Sequence, residues 1–466
     1  MKINIDGYKF NRGYLMKLYE YLIANDTKHN TRLLASIKER IRLLGYIYKC
    51  SDEISEFLTG DDSSIDLCQE NSSCMLDAIE NNLEIKPLKI SVNIITYNEE
   101  RCIKRCIDSI KCLADEILVL DTGSNDNTVS IIEGEYPQVK LFQCKWGDDF
   151  SAARNKLINM STGDWIFQID ADEYLVSSIA DVRNFLGMFN DFPELMTVIS
   201  PKVINHDNSE LLLSKRMFKK ESGLKYYGII HEELRSSDIH KRGEDISHIG
   251  SEFVLKHDGY RKEIVSKKKK LERNKNLLEK MIEIEPDNIR WHYFLAREKR
   301  GLKESNEQIL QILSNGIKFK GYNKDLDHFY LAALVLMAEI FHEDGYEDKL
   351  KDTIHTINCN YPYCIDGIYF ALLHEYQKSS INLYKSAQES IARMKKMDEQ
   401  LSFIHSKGYH IINLVALLYF HKQDYAAAFR IFSTIEDETY LKDMKIKMID
   451  LKNQIETFLE NLKHIT

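Results

Sequence analysis

The sequence predicts an α/β protein: a doubly wound sheet domain set between an N-terminal helical appendage and a C-terminal array of helical repeats. Three observations carry this expectation. From Ile90 to Asp170, short apolar runs rich in β-branched residues alternate with helical stretches, the pattern of a parallel sheet covered on both faces. After about Tyr260 those runs stop and helical periodicity alone continues to Thr466. Small residues then recur in similar contexts at Ala296, Ala338, Ala371 and Ala416, at spacings of 42, 33 and 45. A tetratricopeptide array repeats at about 34, so degenerate tetratricopeptide-like helix pairs are expected, with an irregular helical bundle as the alternative.

The elements can be taken in chain order. Residues 1–88 form the appendage: "TRLLASIKERIRLLGYIY" has apolar residues at helical spacing, and "TGDDSSIDLCQENSSC" reads as an exposed loop. Residues 89–260 form the sheet domain. "ISVNIITYN" is a buried strand and "EERCIKRCIDSIKCL" an amphipathic helix. "EILVLDTGSNDNT" is a second strand ending in a polar turn, and "VSIIEGEY" is helical. "VKLFQC" is a third strand, "FSAARNKLINMS" a helix and "WIFQID" the fourth strand. Residues 261–466 form the repeats, opening on "SKKKKLERNKNLLEKMIEIEPDN", a basic and then amphipathic helix closed by Pro286.

A chain of 466 residues exceeds one ordinary core, so two or three domains are expected. The formal charge of −9 argues against a general nucleic-acid binder, which needs a basic surface. The nine cysteines are scattered, and no CxxC pairs with another, so they read as reduced thiols rather than a disulfide framework or a zinc site. "MKINIDGYKF" lacks the apolar core of a signal peptide, and "YLAALVLMAEIF" is too short to cross a bilayer. A cytoplasmic protein without a transmembrane segment is expected.

In doubly wound sheets ligands bind beyond the carboxyl ends of the strands. Here those ends carry "TYNEE", "DTGSNDNT" and "DADE". A carboxylate following a buried strand costs desolvation unless it is paired or bound to a cation. On a continuing strand Asp170 and Asp172 would point the same way, and Glu173 would face away from them. Two hard oxygen ligands aimed at a crevice suit Mg²⁺ or Mn²⁺ that also binds substrate phosphates.

"ITYNEE", "VLDTGSNDNT", "DFSAARN" and "WIFQIDADE", in this order, resemble the family-2 glycosyltransferases of the GT-A fold. The resemblance implies a nucleotide-sugar donor whose diphosphate is bridged by a metal, with Asp170 near ribose and diphosphate and Asp172 on the ion. Thr96, Tyr97 and Glu99 match the nucleotide-contacting end of the first strand, Asp121 the acid that reads the base, and Arg154 a basic residue near the nucleotide. Each has a plainer alternative: a packed aromatic for Tyr97, a helix-start acid for Glu99, a turn with Ser124 and Asp126 for Asp121, and a surface ion pair for Arg154. In "LKHDGY", His257 resembles a histidine that family members place near the diphosphate or metal, against a satisfied core histidine. Arg216 in "SKRMF" could neutralise phosphate or bound the acceptor site.

An acceptor must be placed in line and is usually deprotonated by a base. "KYYGIIHEEL" offers Glu232 as that base and His231 as runner-up, against an ion pair with Arg235. The appendage, the motifs and the helical repeats together look like the sublancin-type peptide S-glycosyltransferases. That resemblance implies inverting transfer from a UDP-sugar, typically UDP-glucose, to Cys or Ser of a bacteriocin (glycocin) precursor peptide. A thiol ionises readily, so such transfer needs less help from a base. Stacked helix pairs suit peptide binding or a homodimer equally. Two other readings stay open: the same enzyme acting on lipopolysaccharide core or another glycan, and a repeat scaffold that binds nucleotide sugar without turnover.

Overall fold

A computed structural model describes residues 9–24, 31–59, 79–85, 87–192, 196–206, 209–211, 214–257, 264–319, 326–394, 409–436 and 438–462. Most of the expected "TGDDSSIDLCQENSSC" loop, with Cys68 and Cys74, lies outside these residues, as does "DGY" of "LKHDGY". The chain divides into two compact units, Met1–Ala333 and Leu334–Thr466.

The first unit is built on one mixed sheet. Its strands are β1 (Ile47–Cys50), β2 (Ile90–Thr96), β3 (Glu116–Asp121), β4 (Lys140–Gln143), β5 (Trp165–Asp170), β6 (Glu173–Leu175), β7 (Thr197–Asn205), β8 (Glu210–Leu211), β9 (Met217–Lys219) and β12 (Ser247–His257). They lie in the order β1-β12-β7-β9-β5-β2-β3-β4, with β6 on β12 and β8 on β7. The four strands foreseen from sequence, β2 to β5, are parallel to one another. The sheet is not parallel throughout: β9 runs antiparallel to both β5 and β7. A separate hairpin joins β10 (Lys225–Tyr227) to β11 (Glu233–Arg235).

The central strands are buried along their length because both faces are covered; Ile90, Val92, Ile94, Phe167 and Ile169 are fully buried, and so are the polar Ser91, Asn93 and Gln168. One face carries α4 (Ile103–Ile110), α5 (Thr128–Glu135) and α7 (Ile179–Phe189), whose apolar residues join the main core. On the other face lies α6 (Phe150–Met160), capped by Asp149, which accepts from Ala152 N at 2.8 Å.

The appendage does more than pack as helices. After α1 (Arg12–Ala24) and α2 (Thr31–Leu44) it contributes β1, an edge strand antiparallel to β12, and then α3 (Asp52–Thr59). Phe10 packs edge-on against Phe192 at 4.8 Å, and Arg42 pairs with Asp181 of α7 at 2.7 Å.

Three helices come after the sheet within this unit: α8 (Ile264–Ile284), α9 (Ile289–Gly301) and α10 (Asn306–Gly316). α8 and α9 bury Leu277, Leu278, Met281, Trp291 and Leu295 around Ile230 of the β10–β11 connection. Next comes α11 (Asp327–Glu343), in which the unit boundary falls.

The second unit continues with α12 (Glu347–Asn360), α13 (Ile365–Met394), α14 (Tyr409–His421), α15 (Tyr425–Phe432) and α16 (Glu438–Leu462). Ala296, Ala338 and Ala416 are fully buried in helices joined to the next by short turns. Ala371 is only half-buried, and its helix is a single span of 30 residues, which breaks the repeat. Among the described residues the cysteines are free, and no helix is long and apolar enough to cross a membrane.

Candidate active site

The sheet gathers the expected residues at the carboxyl ends of its parallel strands. β2 ends at Thr96, which is buried; Tyr97 comes next, with 53% of its surface exposed. Glu99 begins the turn into α4: its carbonyl accepts from Cys102 and Ile103, and its own N–H donates to Thr128 Oγ1 at 2.8 Å. β3 ends at Asp121, whose carboxylate accepts from the backbone of Gly123 and Ser124 at 3.0 Å and from the Ser124 hydroxyl. Asp121 therefore shapes its own turn, as the plainer sequence alternative expects.

β5 does not continue through the acidic stretch. It ends at Asp170, Ala171 and Asp172 make a turn, and Glu173 opens β6. The expectation that the two aspartates share an outlook does not hold, because the alternation it relied on stops with the strand. Asp170 lies between two guanidiniums: Oδ1 accepts from Arg154 at 2.8 Å and Oδ2 from Arg216 at 2.9 Å. Against the cost of burial, Arg216 and Arg154 hold its carboxyl far below the usual range. Both carboxylate oxygens of Asp170 are thus engaged by arginines.

Glu173 also differs from expectation. It does not turn away but is buried behind Asp170, with Oε1 on Arg216 at 2.6 Å and Oε2 accepting from Asp170 N at 3.0 Å. Burial pushes its carboxyl up to about 7, with Arg216 opposing and Asp170 reinforcing the rise.

Asp172 meets a residue 85 positions away. Its Oδ2 lies 3.0 Å from His257 Nε2. His257 is the last residue of β12, in register with Asn205 of β7 and Glu173 of β6. Its Nδ1 lies 2.9 Å from Asn205 Oδ1. An amide oxygen there requires Nδ1 to donate, which leaves Nε2 facing the carboxylate. The Asp172 hydrogen bond raises the imidazole pKa against desolvation by burial. A proton between Nε2 and the carboxylate is one way to satisfy the pair; a divalent cation is the other, and Asn205 would orient the ring for it as outer partners of metal-binding histidines do. Among the described residues no three acidic, histidine or cysteine side chains gather as a cage, so an ion here would complete its shell from water and substrate phosphate, as Mg²⁺ commonly does.

Arg154 links the two sides of the crevice. It sits one turn into α6 and is buried. Its Nε donates to Glu232 Oε1 at 2.6 Å while Nη2 holds Asp170, and Tyr226 lies 5.3 Å from its guanidinium. Its Nη1 is buried without a hydrogen-bond partner among the described residues. The result is one chain of alternating charge: Glu232, Arg154, Asp170, Arg216, Glu173.

His231 lies elsewhere. Its ring stacks on Phe294 of α9 at 3.9 Å, and burial lowers its pKa. It is a packed residue, its Nε2 3.6 Å from Glu298 Oε1 of α9. Sequence spacing did not flag Asn205 or the residues of α9, because each comes from a distant element, and it placed Glu173 on the wrong side because the strand ends before it.

The family model described as Glycosyl transferase family 2 matches residues 91–248. The SPbeta prophage-derived glycosyltransferase SunS of Bacillus subtilis is 30% identical over 381 residues, spanning 80% of this chain and 87% of that protein. The chain belongs to glycosyl transferase family 2 and is a glycosyltransferase. It is similar to SunS along most of its length. A TPR repeat-containing protein of Synechococcus elongatus is 31% identical over 206 residues, 43% of this chain and 49% of that one.

Proposed function

We propose that this glycosyltransferase moves a hexose, with inversion, from a UDP-sugar to a cysteine or serine of a bacteriocin (glycocin) precursor peptide, with UDP-glucose the expected donor and Mg²⁺ or Mn²⁺ the metal. The observation that carries the reading is the Asp172–His257 pair beside the arginine-held Asp170, at the carboxyl ends of parallel strands. Likeness to SunS over 80% of the chain supports the peptide acceptor.

The residues divide the work. Thr96, Tyr97, Glu99 and Asp121 line the strand ends where the nucleoside would lie, Tyr97 offering an exposed ring for stacking. Arg154 and Arg216 fix Asp170 toward the ribose and diphosphate. The spare Nη1 of Arg154 is a donor whose burial costs about 1–3 kcal/mol until an acceptor reaches it. A divalent ion held by Asp172 and His257 would neutralise the departing diphosphate. The acceptor sulfur attacks the anomeric carbon from the face opposite the leaving group; the S–C bond forms as the C–O bond to UDP breaks, and UDP leaves with the electron pair. Glu232 takes the thiol or hydroxyl proton. Its second oxygen has no hydrogen bond among the described residues and is free for that role.

Mass spectrometry of a candidate precursor peptide incubated with the protein, UDP-glucose and Mg²⁺ tests the proposal. A hexose added to a cysteine- or serine-containing fragment supports it. Modification confined to a glycan acceptor offered in the same mixture overturns the peptide reading.

A further inference from the structure

Glu232 sits in the five-residue connection Gly228–Glu232 between β10 and β11. A short exposed hairpin connection is ordinarily among the more mobile parts of a fold. This one is tied down residue by residue, and most of the ties come from the helices beyond the sheet.

Gly228 has φ of +97°, and a Cβ there would lie 2.7 Å from Trp291 Cη2. Ile229 accepts from Phe150 N at 3.0 Å. Ile230 is buried among Leu277, Leu278, Met281 and Trp291. His231 takes φ of +49°, unfavourable for a residue with a side chain, while its ring stacks on Phe294. Such a conformation persists only where the surroundings over-determine it.

Arg290 supplies that constraint. Its Nη2 donates to His231 O at 2.6 Å, and its Nη1 lies 3.1 Å from Glu233 Oε2. The guanidinium thus grips the peptide group joining His231 to Glu232 and the side chain just beyond, bracketing Glu232 on both sides. Arg290 is itself placed over the rings of Trp291, Phe294 and Phe329. A second tie runs in parallel: Glu233 pairs with Arg235 at 2.7 Å, Arg235 with Glu285 at 2.7 Å, and Glu285 accepts from Trp291 Nε1 at 2.9 Å. The family match ends at residue 248, so Glu285, Arg290, Trp291 and Phe294 all lie beyond it.

We infer that Arg290 is a positioning residue for the transfer step: through the His231–Glu232 peptide it sets Glu232 against Arg154 and the acceptor, making the start of the helical region part of the active site. This rests on the proposed role of Glu232. A fork with two donors in fixed geometry suits the task, and a lysine would reproduce only part of it.

The test is a double-mutant cycle on the full-length chain with Arg290→Met and Glu232→Gln, joined by amide hydrogen exchange over residues 229–233. Arg290→Met is expected to lower kcat for transfer by about 10- to 100-fold, with the donor KM within about twofold. Arg290→Lys should recover part of the loss, and the double variant should be no slower than Glu232→Gln alone. Unchanged kcat, or a loss that multiplies with that of Glu232→Gln, overturns the inference. Should Arg290→Met fail to fold, Phe294→Leu, which removes the stack on His231, must show the same pattern more weakly, and normal kcat in it overturns the inference. Should the wild-type chain transfer no sugar, the proposed function fails, but exchange still tests the clamp: faster exchange at 229–233 in Arg290→Met upholds it, and unchanged rates overturn it.

Discussion

Asp170 and Asp172 stand two residues apart and live in opposite electrostatic settings. Asp170 has a guanidinium on each oxygen, so its charge is met within the protein. Asp172 faces one histidine, whose own charge depends on a proton. The first site is complete without a ligand; the second is complete only when a proton or a cation sits between its two partners. Neighbouring carboxylates therefore sit in different settings because the strand ends between them: one is held by arginines of α6 and of the residue before β9, the other by the far end of β12.

Substitutions that separate the two settings rank by expected size. Asp172→Ala should have the largest effect, abolishing metal-stimulated turnover while circular dichroism shows an intact fold; undiminished stimulation by Mg²⁺ or Mn²⁺ would remove the cation from this pair. Arg216→Met leaves the buried Glu173 and the part-exposed Asp170 sharing too little positive charge. Loss of one partner of a buried pair costs about 3–5 kcal/mol, so a clear fall in melting temperature is expected, larger than for Asp172→Ala. Equal melting temperatures would erase the contrast between the two aspartates. Glu232→Gln should slow transfer to serine more than to cysteine, since a hydroxyl depends more on the base; equal losses on paired peptides would count against Glu232 as base.

Smaller effects are expected behind the site. Gly228→Ala combines a positive φ with a contact on Trp291 and should destabilise by about 1–3 kcal/mol, read by urea denaturation. The pH dependence has a defined sign at Glu285. Burial pushes its carboxyl up, but hydrogen bonds from Arg235, Trp291 and Asn288 bring it down to about 2. A depressed native pKa means that this stabilisation is present above about pH 4.5. It is lost as pH falls towards about 2, so Glu285→Gln should flatten the acid-unfolding curve within that window.

Much of the sheet was legible because β2, β3 and β5 are buried on both faces and, with the edge strand β4, are separated by amphipathic helices, which gives a strong period. The short strands β6 and β8 to β11 were not, since two or three residues carry no period to read. The edge strand β1 was hidden for the same reason, at the end of a longer helical pattern. Within the site, strand-end residues could be named from local motifs. Their pairing could not: the Asp172–His257 contact depends on the parallel register of β12 with β7, and the burial of Glu173 on a turn that local alternation contradicts. The ties around Glu232 come from α8 and α9, whose apolar spacing marks a helix without revealing which loop it holds.

The reversed strand β9 has a consequence for how the crevice is built. Parallel strands present only the loops that leave their carboxyl ends, so a fully parallel sheet would furnish its ligand site from outgoing loops alone. Arg216 instead precedes its strand, and its carbonyl accepts from Gln168 of β5 at 2.9 Å. It therefore arrives on an incoming connection, the stretch between β7 and β9, anchored at its far end by that backbone bond. The crevice is therefore furnished from two directions, by the loops that leave β2, β3 and β5 and by the residues that lead into β9.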